Sequence, residues 1–460
     1  MITQLKARHP KALSKKAPSK KAQSPAVPST KQQIKASCRE GSRVLIWSLR
    51  NIQNFVYNAC LYEFEDIISD IDDADIVAPP SYNLFSRVIN KTIVSKTQRC
   101  KPFSLMSVNP YGQSIDLWYE YDIYFVVLDF PWYVASINLL KNWRRKCRFA
   151  VCYIIEVWNT DIQKLSNFMA FFDEFDLICV GTYHVLDAVK SLANCPCMFL
   201  APGIDTLKFS PELNANARSI DVCSLGRRSP VTHEALLAIA EQEPFFYYHE
   251  LTSGSVARIN DHQAHRTLVA NLLKNSRYFI TNHAKANLPE LIADDHEIGY
   301  RFFEGAAAGA ILIGDPPKGE HFERHFDWPD AVIPISYDES NIAEILAELD
   351  SQPGYLKRVR ANNTINSLRK HDWVYRWEQV LEKLGMPSTR AMTARKSRLQ
   401  ASAIAIESSV LPDPVKADSV KASPARANPV KPAKATPVKD DERSYRHAAL
   451  EPAAALGAVR

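Results

Sequence analysis

The 460-residue sequence contains no Gly-x-x-x-x-Gly-Lys-Ser/Thr loop, no Gly-x-Ser-x-Gly elbow and no His-Glu-x-x-His pair. It therefore lacks the phosphate cradle of a P-loop nucleotidase, the exposed serine of an α/β-hydrolase and the zinc helix of a metalloprotease. Its nine cysteines are odd in number and without paired spacing, which argues against a disulfide framework and suits a reducing compartment. Cys147, Cys152, Cys179 and Cys223 lie in or beside apolar runs, where a free thiol behaves as a small hydrophobe. Cys195-Pro196-Cys197 has metal-binding residue types, but no second Cys/His pair stands near it. The first forty residues hold no apolar leader, so a cytoplasmic location is expected. The longest nearly apolar run, Ile123–Leu140, is interrupted by Asp129, Pro131 and Asn138. It reads as a buried strand, a loop and a helix start rather than a membrane span.

What is present is a core-forming composition, 46% hydrophobic and 10% aromatic, between two basic ends. The chain carries +5 overall, about +9 of it in residues 1–40 and +6 in 387–460, so the body between them is near −10. An acidic body points away from nucleic acid for the folded part. Residues 1–40 are Lys, Ala, Ser, Pro and Gln, and 387–460 repeat Pro-Val-Lys at 414–416, 429–431 and 437–439. Both segments are expected to be disordered, having too little apolar surface to offset ordering entropy.

Between them strand-like and helix-like segments alternate. Strands are expected at 43–47, 75–78, 124–128, 148–155, 176–180 and 197–200, with helices at 51–64, 82–94, 161–172 and 184–193 between them. A second alternation has strands at 221–225, 245–249, 277–281, 310–314 and 331–335, and helices at 232–242, 263–274 and 340–350. This pattern predicts an α/β chain of two Rossmann-like domains, 41–200 and 201–386, with a crevice between them. The segment 364–384 closes the second, its His371-Asp-Trp-Val-Tyr-Arg-Trp377 forming a bulky clamp.

The stretch Glu297–Asp315 stands out. It reads as a short helix on which Glu297, Arg301, Glu304 and Ala308 share one face, Ala306–Ala308 remove bulk, and Gly309 fits a helix stop. Ala310–Gly314 then reads as a buried parallel strand whose C-terminal end opens on Asp315-Pro-Pro.

Ala201-Pro-Gly-Ile-Asp-Thr-Leu-Lys-Phe-Ser-Pro211 resembles the Pro-x-Gly-Val/Ile-Asp-x-x-x-Phe-x-Pro hinge of GT-B glycosyltransferases. Gly226-Arg227 is similar to the Gly-Arg that opens their nucleotide-binding domain. Arg301-Phe-Phe-Glu304-Gly-Ala-Ala-Ala-Gly309 and the 371–377 segment resemble the group 1, CgeB-like members. The resemblance implies a GT-B fold and transfer of a hexose-type sugar from a nucleotide-diphosphate sugar to a polysaccharide, lipid or protein acceptor, with retention of configuration and no bound catalytic metal. It implies that Glu304 takes the donor ribose hydroxyls, Gly305 and the alanines keep that side open, and Arg227 neutralises the diphosphate. Arg301 would pair with the phosphates or lock Glu304. The sequence departs from the pattern in two places. Glu297 and Glu304 are separated by six residues rather than seven, and His233 stands near the place of an expected lysine. Lys285 is a candidate for the missing charge.

Glu156 and Asp129, each after a buried strand, are candidate bases on the acceptor side, Glu156 being favoured and His184 a weaker third. The basic 138–148 segment, with Trp143 and two leucines, reads as a helix that could rest on anionic lipid. The alternative is a non-catalytic scaffold whose basic tails recruit acidic partners; nucleic-acid binding by the tails alone is a third reading.

Overall fold

Short runs of β-branched, aromatic and cysteine residues build two all-parallel sheets in a computed structural model that describes residues 29–99, 107–212, 217–250, 257–292 and 295–410. Strands β1 (Val44–Trp47), β2 (Ala74–Val77), β3 (Tyr121–Leu128), β4 (Cys147–Ile154), β5 (Leu177–Val180) and β6 (Cys197–Phe199) pair in the order β2-β1-β3-β4-β5-β6. Strands β7 (Ile220–Ser224), β8 (Tyr247–His249), β9 (Ser276–Ile280), β10 (Ile311–Gly314) and β11 (Ile333–Pro334) pair in the order β11-β10-β9-β7-β8. The two sheets are wound alike. In each, the first strand lies between the second and the third, so the order in which strands are added reverses across the sheet at β1/β3 and at β7/β9. Open parallel sheets leave a ligand crevice at such points, beyond the carboxyl ends of the strands.

The Tyr300–Ala307 helix sits directly on the second sheet. A Cβ on Gly305 would come within 2.4 Å of Leu312 Cδ2 and 2.5 Å of Phe279 Cδ1, and Ala306–Ala308 are wholly buried. The small residues thus serve close helix–sheet packing, and Gly305 does not open a ribose pocket. Gly305→Ala should lower stability by about 1–3 kcal/mol through overpacking, read as a drop in the chemical-denaturation midpoint; an unchanged midpoint would contradict this placement. Gly309, at φ +62, ends the helix. Its N–H donates to Ala306 O and that of Ala310 to Gly305 O, the paired bonds of a Schellman motif.

The chain returns to the first half at its end. Trp373 stacks on Phe64 with ring centroids 4.4 Å apart, and its Nε1 donates to Glu63. Trp377 Nε1 donates to Asp72 Oδ2 at 2.5 Å. Trp373 also covers Gly203 of the hinge, where a Cβ would meet its ring at 2.6 Å.

Both tail boundaries move. Thr30–Ala36 is helical, capped by Ser29 and Gln32, with Ile34 buried. Arg390–Val410 is a 21-residue helix whose Met392, Leu399 and Ala403 are fully buried in the core with Ile67, Ile71 and Trp377. Its Arg395 pairs with Asp372 at 2.7 Å and Asp205 at 2.7 Å, tying the helix to clamp and hinge. The expected disorder over 1–28 and 411–460 lies outside the described residues. The 138–148 segment is not an amphipathic helix. It runs from the end of the Pro131–Leu139 3-10 helix through a short Trp143–Lys146 turn into β4, with Leu139, Leu140 and Trp143 buried. Arg144 pairs with Asp176 and Lys146 with Glu120. No apolar face is left there for a bilayer. No helix among the described residues is long and apolar enough to cross a membrane.

Candidate functional site

The register of the first sheet brings its two carboxylates together. Leu128 of β3 is level with Ile154 of β4, so Asp129 and Glu156 leave the sheet side by side, and the Glu156 N–H donates to Asp129 O at 3.0 Å. Asp129 is buried at the β1/β3 switch point. It accepts from its neighbour's Phe130 N–H at 2.8 Å and from Asn58 Nδ2 at 3.2 Å. Burial raises its pKa to about 7; these hydrogen bonds lower it and the Glu156 charge adds to the rise. Glu156 is committed differently. Its Oε1 accepts from Trp158 Nε1 at 2.7 Å and pairs with Lys285 Nζ.

Lys285, at φ +57 in the loop after β9, also lies over the Trp158 ring at 4.4 Å. A lysine held in the left-handed region beside a crevice carries backbone strain of the sort that clusters at functional sites. Its ammonium joins the two halves and is not free for a phosphate. Arg227, in the turn after β7, is exposed and has no ion-pair partner among the described residues. In the same turn the Gly226 N–H donates to Glu250 at 2.8 Å. Ser224, Ser229, Thr232, His233 and Tyr247 line a narrow pocket beside that turn. His233 bonds the Tyr247 hydroxyl there at 3.0 Å.

Glu304 lies at the centre of a buried charge chain. Its Oε1 pairs with Arg266 Nη1 and its Oε2 with Arg301 Nη1 at 2.7 Å. Arg266 Nε in turn reaches Glu63 Oε2 of the first half at 2.9 Å. Burial alone would raise the Glu304 pKa, but Arg301 and Arg266 outweigh it and hold the carboxyl at about 2. Arg301 is thereby tied to Glu304. Its other face is partly exposed toward Gly226, whose Cβ would stand 3.8 Å from Nη2. Both Glu304 oxygens are thus occupied.

Glu297 is not on the Glu304 helix, because Gly299 in extended conformation is the helix N-cap and Glu297 precedes it. It turns instead to the first half, where its Oε1 accepts from the His184 N–H and meets His184 Nδ1, each at 2.9 Å. Tyr57 and Arg266 were not singled out from the sequence. Tyr57 is 46% exposed and precedes Asn58, the residue that donates to Asp129. Its neighbour Val56 donates from its N–H to Ala257 O of the second half at 3.0 Å. Neither residue carries a spacing signal.

Residues 239–382 match the model of the family described as glycosyl transferase-like. The match includes Lys285, Glu297, Arg301, Glu304 and Gly305 and leaves out Asp129, Glu156 and Arg227. No curated protein matches. Among solved structures, the chain is similar to Anabaena Alr3699/HepE in complex with UDP-glucose at 11% identity and TM-score 0.44, covering 75% of this chain and 99% of that one. It is similar to S. aureus MnaA with UDP at 10% identity and TM-score 0.37, over 75% and 98% of the two chains. The Glycyrrhiza uralensis UGT73P12 complex with glycyrrhetinic acid 3-O-monoglucuronide follows at 11% identity and TM-score 0.34, over 80% and 94%. All three TM-scores lie below 0.5. Over residues 239–382 the chain is similar to the glycosyl transferase-like family model, and its two like-wound parallel sheets form the two Rossmann-like halves expected of a GT-B fold.

Proposed function

We propose that this chain transfers a sugar from a nucleotide-diphosphate sugar, held by the second half, to a glycan, lipid-linked or protein acceptor at the edge of the first, with the retention of configuration that the motif resemblance implies. The observation that carries the reading is the placement of charge at the two switch points: Asp129 buried beside Glu156 at the end of the first sheet, and Arg227 exposed in the turn after β7 with no ion-pair partner among the described residues. Arg227 would stabilise the negative charge that grows on the diphosphate as the glycosidic bond breaks. Its exposed guanidinium is available for this, whereas Lys285 and Arg301 are engaged by Glu156 and Glu304. Asp129 would take the acceptor's proton. Its pKa of about 7 suits a general base better than Glu156, which is held by Lys285 and Trp158. Glu304 would have a positioning role, holding Arg266 and Arg301 beneath the Arg227 turn rather than binding ribose.

The reading gives Asp129 a pH signature. The base must be deprotonated, so kcat/KM should climb as pH rises through about 7 and level off above it. Asp129→Asn should cut kcat about 10²–10⁴-fold and abolish that limb. A variant with the wild-type profile would remove Asp129 from the mechanism.

One observation favours the scaffold reading: both Glu304 oxygens are taken and His233, near the place of the expected lysine, is bonded to Tyr247. A folded chain that binds no nucleotide would support it.

A further inference from the structure

His184, Glu297 and His321 each bring one ligand atom to within 4.8 Å of the other two. We propose that they form a binding site for a zinc-class divalent cation that clasps the two halves of the molecule across the crevice. The inference goes beyond the donor reading and stands without it.

The donor set decides the class of ion. Two imidazoles and one carboxylate suit zinc or a neighbouring transition metal; calcium and magnesium prefer all-oxygen sites. Three protein ligands leave a tetrahedral ion one position for water or another ligand. Two ligands about 2.0–2.1 Å from such an ion lie roughly 3.3 Å apart. His184 Nδ1 and Glu297 Oε1 are already 2.9 Å apart, so the widest separation is the one that must contract.

Each ligand is oriented by a group behind it. His321 Nε2 lies 2.9 Å from His296 O. A carbonyl can only accept, so Nε2 carries the proton and Nδ1 the lone pair a metal would need. The Tyr183 ring stacks on His321 at 5.0 Å and 5°, which fixes its plane. Glu297 is held by its own carbonyl, which accepts from the Ala284 N–H at 2.9 Å, and its Oε1 also accepts from the His184 N–H. Glu297 and His321 are buried while His184 is partly exposed, which leaves an ion a way in.

The ligands come from both halves. His184 follows β5 of the first sheet, whereas Glu297 and His321 flank β10 of the second. Binding would therefore resist separation of the halves. The cation would act as a fastener, distinct from the Arg227 turn that the proposed reaction uses for the diphosphate.

The test is a Zn²⁺ titration of the metal-stripped full chain against a chromogenic chelator, with a Co²⁺ absorption spectrum alongside and no nucleotide present. One equivalent should bind per chain, raise the unfolding temperature and give visible Co²⁺ bands without a near-ultraviolet thiolate band. His321→Ala and Glu297→Gln should lose that equivalent, and His184→Ala, at the most exposed ligand, provides a variant less prone to misfold. The Cys195→Ser/Cys197→Ser chain should keep it. No stoichiometric binding by the wild type, a thiolate spectrum, or full binding by a folded His184→Ala chain would overturn the proposal.

Discussion

Glu304→Gln should cost this protein about 3–5 kcal/mol of stability, the usual consequence of removing one partner from a buried ion pair. Arg266 is 2% exposed and its Nη2 already has no hydrogen-bond partner among the described residues. Neutralising Glu304 leaves that guanidinium with Glu63 as its one hydrogen-bonded carboxylate, inside the core. The same pair sets an acid limit. The folded Glu304 titrates at about 2 against an ordinary 4.5. The folded chain thus holds fewer protons than the unfolded one between those values, and stability rises with pH there. The contribution, roughly 3 kcal/mol, is complete above about pH 4.5 and lost as pH falls toward 2. Urea unfolding of wild type and variant at pH 7 and pH 3 checks both statements. A variant as stable as the wild type at pH 7 would mean that Glu304 is free to serve a ligand, as the resemblance implies.

Arg227→Ala should do the opposite: leave the denaturation midpoint within about 0.5 kcal/mol of wild type and lower kcat/KM for a nucleotide-sugar donor about 10²–10³-fold. An exposed guanidinium without an ion-pair partner among the described residues contributes little to the fold. It gains its full effect only when charge develops on the leaving diphosphate. Equal activity in the variant would move the phosphate contact elsewhere, and a large loss of stability would show that Arg227 has a structural partner.

Much of the architecture was legible because buried parallel strands advertise themselves. Runs such as Tyr124–Leu128, Arg148–Ile155 and Ala310–Gly314 have no alternation and few charges, and their order with the helices between them implies two crossover sheets. Gly309 was legible as a helix stop. What failed was what depends on distant partners. No spacing within 297–308 reveals that Arg266, 38 residues upstream, occupies Glu304, or that Phe279 and Leu312 require glycine at 305. Glu297 was placed on the wrong surface because a helical register was run through Gly299, where the helix begins. The 390–410 helix was missed for a compositional reason. Its buried stripe is only Met392, Leu399 and Ala403, too thin a signal against an Ala, Ser and Arg background. The 138–148 segment erred the other way, since its basic residues concealed that the leucines and Trp143 face inward.

Removing residues beyond 386 would strip the Arg395 ties and a core helix, so binding is best measured on the full chain. The most direct measurement is calorimetric titration of that chain, wild type and Arg227→Ala, with UDP, GDP and ADP and their sugars. One nucleotide should bind the wild type with saturable heat and bind the equally stable variant at least about tenfold more weakly. Absence of binding by any of them to the folded wild type, or equal affinity in both chains, would contradict a donor site at the β7/β9 switch point.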